Sequence, residues 1–164
     1  MTKQSAAVRR RRAVAAAGAV SAGLLVLSAC DKPTPFSTIS VGSSSVSEEA
    51  TCGGEDSVLD TSKLTACLKD EDIKSIDVDS EVDTVRFGVD PDVAKKRWTV
   101  LMNGQPLTGE NTKTYLTIPG SVFFNAQYGA QGNSTLVTIK AGDGKKDSQA
   151  VTGLWSFRLK KTDN

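Results

Sequence analysis

Thr84-Val85-Arg86-Phe87-Gly88-Val89 decides the fold. Val85, Phe87 and Val89 alternate with Thr84, Arg86 and Gly88. In an extended chain the three apolar side chains then share one face, the pattern of a half-buried β-strand. Reading outward, Trp98, Val100 and Met102 share a face of the next run. Asn103-Gly104 then supplies the positive-φ pair that a tight hairpin needs, which places a short partner at Gln105 to Leu107. Tyr115 to Ile118 gives another strand, stopped by Pro119-Gly120. Thr135 to Ala141 is rich in β-branched residues, and Gly142-Asp143-Gly144 turns the chain. In the closing run, Trp155, Phe157 and Leu159 oppose Leu154, Ser156 and Arg158. On the N-terminal side, Ile39 and Val41, then Val46, Glu48 and Ala50, then Ile73, Ile76 and Val78 mark three further segments.

Three short stretches read as helices. Ser62 can cap a turn or two in which Leu64, Cys67 and Leu68 share a face. Asp90-Pro91 has the cap and first-turn residues of a helix reaching Lys95. Ser121 is placed to cap a third, over 122–127. Many short strands at near-regular spacing predict an all-β sandwich of about seven strands with one to three short helices, a single domain over 38–164.

The head of the chain is of a different kind. A basic block, Arg9 to Arg12, precedes a small and apolar run, Ala13 to Ala29, and Leu27-Ser28-Ala29-Cys30 closes it. Basic head, apolar middle and small residues before the cut make a secretory signal peptide over 1–29. The alternative, a membrane-spanning anchor, fits less well: the run is about 17 residues, short for a bilayer, and weakly hydrophobic. Ala13-Val14 after the arginines is a poor match to a twin-arginine signal, which favours the general secretory route.

The lipobox Leu27-Ser28-Ala29-Cys30 resembles that of bacterial lipoproteins, and more loosely the chain resembles small actinobacterial lipoproteins of unknown function. The resemblance implies that the Cys30 thiol carries a diacylglyceryl group (with palmitate-type chains) and that Cys30 is the mature N-terminus. It implies a protein tethered to the outer face of the bacterial cytoplasmic membrane. Two acyl chains hold stably where one is marginal, at about 0.8 kcal/mol per buried methylene. Residues 30–37, with Pro33 and Pro35, read as the lipidated end and a short stalk.

With Cys30 carried by lipid, Cys52 and Cys67 remain. Outside the cytoplasm they form one disulfide most simply, worth roughly 3 kcal/mol on a loop-entropy argument. That bond pins the first short helix to the end of the second strand and needs no chemistry. The spacing is unlike the Cys-x-x-Cys of a redox pair, and no further soft ligands are present for zinc. The architecture resembles immunoglobulin-like domains, with one departure: their disulfide joins distant strands across the sandwich, whereas Cys52 and Cys67 make a local staple.

Composition excludes several functions. Residues 1–29 hold five of the 20 basic side chains and none of the 19 acidic ones, so the mature part carries a net charge of −4. A nucleic-acid partner needs a basic footprint, which is absent. Membrane attachment rests on the acyl tether rather than on peripheral binding to anionic lipid. Histidine is missing from the chain, which removes the commonest general acid/base and metal ligand.

The remaining constellations each have a plain reading. Asp77, Asp79, Glu81 and Asp83 alternate, which predicts a solvated strand face or a charged edge. An EF-hand calcium loop starting at Asp77 would need glycine where Val82 stands and glutamate where Gly88 stands. Phe123, Phe124 and Tyr128 are a possible aromatic binding surface, and equally a plug at one end of the sandwich. No Gly-x-Ser-x-Gly elbow and no Ser-x-x-Lys element occurs, so no catalytic residues are assigned, and no cofactor or metal is expected. Asn133-Ser134-Thr135 matches a glycosylation sequon by chance. The expected function is a non-catalytic, lipid-anchored domain binding another envelope protein or an envelope polymer. The competing readings are an envelope hydrolase with a Ser–Lys or carboxylate site, and a small-molecule carrier with a hollow between its sheets.

Overall fold

The computed structural model describes residues 33–67 and 72–162. In chain order the elements are β1 (Phe36–Val41), β2 (Ser44–Glu49), β3 (Cys52–Gly53), α1 (Thr61–Cys67), β4 (Ser75–Asp79), β5 (Thr84–Val89), α2 (Pro91–Lys95), β6 (Trp98–Met102), β7 (Gln105–Pro106), β8 (Tyr115–Pro119), α3 (Gly120–Phe123), a 3-10 turn (Ala126–Tyr128), β9 (Ser134–Ala141) and β10 (Gly153–Thr162). The fold is an all-β sandwich.

One sheet runs β2-β1-β5-β8, and the other runs β3-β10-β9-β6-β7. β4 adds to the outer edge of β10 beyond β3. Its pairing there is parallel, from Arg158↔Ser75 to Thr162↔Asp79, whereas the other strand pairs are antiparallel. β5 pairs with β8 in one sheet while β6, β9 and β10 stand together in the other. This division between sheets is that of immunoglobulin-like sandwiches.

Period-two alternation converts directly into the core. Ile39 and Val41 of β1 and Val85, Phe87 and Val89 of β5 point inward from the first sheet. Trp98, Val100, Met102, Val137, Ile139, Trp155, Phe157 and Leu159 meet them from the second. Phe87, Trp98, Trp155 and Phe157 thus occupy the interior that a carrier would need hollow. A second, smaller cluster of Cys52, Val151 and Leu154 lies under Leu59, Leu64 and Cys67. The Cys52–Cys67 disulfide closes it, with Cα atoms 5.6 Å apart.

Three local expectations need correction. Asp60, not Ser62, caps α1: its Oδ1 accepts from Ser62 N–H at 3.1 Å. Leu68, expected on that helix face, lies outside the described residues. The third helix begins at Gly120 with Ser121 inside it and no side-chain cap. Asn125 instead caps the 3-10 turn, accepting from Gln127 N–H at 2.9 Å. Phe36 and Ser37, assigned to the stalk, belong to β1. The Asp90 cap of α2 is present, its Oδ1 accepting from Asp92 N–H at 2.9 Å. Asn103 (φ 49°) and Gly104 (φ 81°) supply the hairpin turn with both residues left-handed.

Candidate functional site

Leu27, Ser28, Ala29 and Cys30 lie outside the described residues. The acidic run is placed differently from the expectation. Only Asp77 and Asp79 belong to β4; Glu81 sits in the turn and Asp83 precedes β5. The carboxylates cap that turn. Asp79 N–H donates to Asp83 Oδ2 at 2.8 Å and Glu81 N–H to Asp79 Oδ1 at 2.9 Å. Among the described residues, no group of three or more acidic or cysteine side chains is placed to hold a metal.

The aromatic trio is divided between interior and surface. Phe123 is wholly buried, its ring centroid 5.9 Å from that of Phe87, and Phe124 packs partly buried against the same core. Tyr128 stands 56% exposed. The buried Thr135 hydroxyl donates to Phe123 O at 2.6 Å and fixes α3 onto β9. The three rings therefore do not form one platform.

The concavity that does gather polar chemistry lies on the outer side of the β6/β9 pair. It is a groove of about 360 Å³ between the loops 106–110 and 142–150. The first loop is strapped along β6. Trp98 and Asn111 exchange backbone bonds of 2.9 and 2.8 Å, and Thr108 Oγ1 accepts from Val100 N–H at 3.1 Å. The second loop is held by Gly142 N–H to Arg97 O (2.8 Å) and Gly144 N–H to Lys96 O (2.9 Å).

Thr99 and Lys140 are cross-strand partners and line the groove. The Gly142–Arg97 bond lies one step beyond the Trp98↔Ala141 pair, and Arg97 lines the groove together with Lys140. The Arg97 guanidinium meets Glu110 Oε2 at 3.5 Å. Glu110 Oε1 accepts from Asp147 N–H at 3.2 Å. The Lys140 side chain has no ion-pair or hydrogen-bond partner among the described residues.

Asp143 shapes the second loop. Its Oδ1 accepts from Lys145 N–H at 3.0 Å. That backbone bond lowers its pKa below the ordinary 3.8, against partial desolvation and with help from the Ser148 hydroxyl and the Lys145 charge. A second, smaller pocket of about 240 Å³ is lined by residues that include Glu48, Glu49, Asp72 and Ser156. There Glu48 is engaged by Lys74 at 3.0 Å.

Sequence reasoning missed the groove. Arg97 stands at φ 58° and Asp147 at φ 58°. Left-handed backbone is the habit of glycine, asparagine and aspartate, so the residue type gives no notice of it at Arg97. The alternation that puts Lys140 on the outer face of β9 was the one usable signal. No family model, curated protein or solved structure matches the chain.

Proposed function

We propose that this protein is a lipid-anchored, non-catalytic binding domain of the bacterial cell envelope, tethered through Cys30 to the outer face of the cytoplasmic membrane. The observation that carries the reading is Leu27-Ser28-Ala29-Cys30 at the end of a basic and then apolar head. The Cys52–Cys67 disulfide supports it, since such bonds persist in oxidising compartments.

The distribution of polar groups favours binding over catalysis. The lysine ammonium groups of Lys74, Lys95 and Lys96 are directed to carboxylates and backbone carbonyls rather than to a serine hydroxyl. The packed interior speaks against a carrier. The partner is an envelope protein or polymer, met on the outer surface of the sandwich.

Fractionation after metabolic labelling with a palmitate analogue tests the anchor. Label and membrane association are expected in the native chain and lost in Cys30→Ala. Cross-linking in intact cells followed by detergent extraction tests the binding role. A reproducible envelope partner is expected; an unlabelled protein, or a labelled one with no partner, contradicts the reading.

A further inference from the structure

We propose that the open edge of β8 is an interface between two copies of this chain. The copies join antiparallel about a two-fold axis at Leu116, so that their four-stranded sheets run on as one. This goes beyond the binding role above and does not depend on which envelope molecule the rest of the surface meets.

The backbone fixes which groups that edge presents. Val89 N–H donates to Thr114 O and Gly120 N–H to Asp83 O, each at 2.9 Å. With the register running from Gly88↔Tyr115 to Thr84↔Pro119, residues 114, 116, 118 and 120 turn their peptide groups toward β5. Tyr115 and Thr117 turn theirs away, to the side where β8 has no neighbouring strand among the described residues. Both residues are exposed, Tyr115 by 59%.

The other strands at sheet margins are guarded, the usual defence against edge-to-edge pairing. On β2, at the opposite margin of the same sheet, the Ser47 carbonyl accepts from Lys74 Nζ at 3.0 Å, and Lys74 also pairs with Glu48. β4 carries Asp77 and Asp79 and lies beside β1 and β2. β3 and β7 are two residues each; the disulfide holds β3, and β7 ends at Pro106. β8 has five residues, and no charged residue stands between Lys113 and Lys140.

The occupant follows from the length of the open stretch. At one end the Lys113 carbonyl is taken by Trp98 Nε1–H at 2.7 Å. At the other, Pro119 has no N–H. Between these ends Tyr115 and Thr117 carry the outward groups, and that pair is complementary to its own reversed copy. With Leu116 opposite the partner's Leu116, Tyr115 N–H meets the carbonyl of the partner's Thr117, and Thr117 N–H that of the partner's Tyr115. An axis at Thr117 would instead set the Tyr115 carbonyl against the partner's Pro119, where there is no donor. On the Leu116 axis the two leucines, each partly buried against its own core, stand with Cα atoms about 4.5 Å apart. Lys113 falls opposite the partner's Pro119, so no like charges meet.

The test uses the full chain in native membranes under a mild oxidant. Leu116→Cys sets two thiols across the axis within disulfide reach, and a disulfide-linked pair of copies is expected on non-reducing gels. The native chain should stay single, and so should Val46→Cys, the matching partly buried position on guarded β2. In detergent, the native chain should sediment as a concentration-dependent dimer. Thr117→Pro removes an N–H that β5 does not use, so the melting temperature should hold while association weakens about tenfold or more. Thr117→Lys keeps the N–H and charges the joint, and should weaken association likewise. Four results overturn the proposal: a native chain that sediments as a monomer throughout, no Leu116→Cys pair or equal pairing at Val46→Cys, Leu116→Cys linked to another protein in place of its copy, or undiminished association in either Thr117 variant that folds. Palmitate labelling is read separately, so the dimer can fail while the anchored binding role stands.

Discussion

Trp155 donates its indole Nε1–H to the carbonyl of Pro35, 2.9 Å away and 120 residues earlier in the chain. One bond thus joins the strand that closes the second sheet to the segment just before β1 enters the first. The ring itself is 1% exposed and packs in the shared core. Trp155→Phe should keep most of the packing and lose the bond, lowering stability by about 1 kcal/mol. Trp155→Ala should cost about 3–5 kcal/mol through the lost side chain and its cavity. Urea denaturation of the two variants checks the order.

Ser37 offers a change of opposite sign. It is 1% exposed on the inner face of β1, and its hydroxyl has no partner. A buried hydroxyl without a hydrogen bond costs free energy. Ser37→Ala removes the hydroxyl without opening a void, and stability should rise by about 1 kcal/mol. An unchanged or lowered urea midpoint contradicts the assignment.

Thr135 carries the converse case. Its hydroxyl satisfies Phe123 O inside the core at 2.6 Å. Thr135→Val keeps the shape and strands that carbonyl, so a loss of about 1–3 kcal/mol is expected. Amide exchange in α3 should quicken more than exchange in β1.

Opening the Cys52–Cys67 bond should be felt locally before it is felt globally. The bond spans 15 residues and closes the cluster of Cys52, Val151 and Leu154, apart from the main core. The double variant Cys52→Ala with Cys67→Ala should lose roughly 3 kcal/mol. Hydrogen exchange should show α1 opening first. Protection of α1 equal to that of β9 in the variant would falsify the local-staple reading.

The pH dependence has a defined sign at Asp143. Its folded pKa is lowered from 3.8, chiefly by the backbone N–H of Lys145. A lowered folded pKa stabilises the fold above the unfolded pKa, and that contribution is lost as pH falls through the lowered value. Stability should therefore decline below pH 3.8, and Asp143→Asn should flatten that part of the curve. Carboxyl titration by NMR checks the direction; a value above 3.8 contradicts it.

How much of this was legible follows from where local pattern and tertiary context agree. Val85, Phe87 and Val89 alternate in sequence and point to the core, because a two-sided sheet enforces period two. The same rule misled at Asp77 to Asp83. The alternation there runs through a turn whose residues, Ser80, Glu81 and Val82, lack the glycine or proline that marks one. The Cys52–Cys67 bond was readable from the cysteine count together with the export expected from the head of the chain. Phe123 and Tyr128 were not separable, since aromatics five residues apart in an irregular segment give no sign of which the core takes. Arg97 was invisible because the groups that meet it, Glu110 at its guanidinium and Gly142 N–H at its carbonyl, come from two separate loops later in the chain.

Intact-mass analysis of the native product isolated from membranes tests the central claim most directly. The account predicts a chain beginning at Cys30, heavier by a diacylglyceryl group on its thiol, with Cys52 and Cys67 oxidised. A chain beginning at an unmodified Met1 with three free thiols contradicts it.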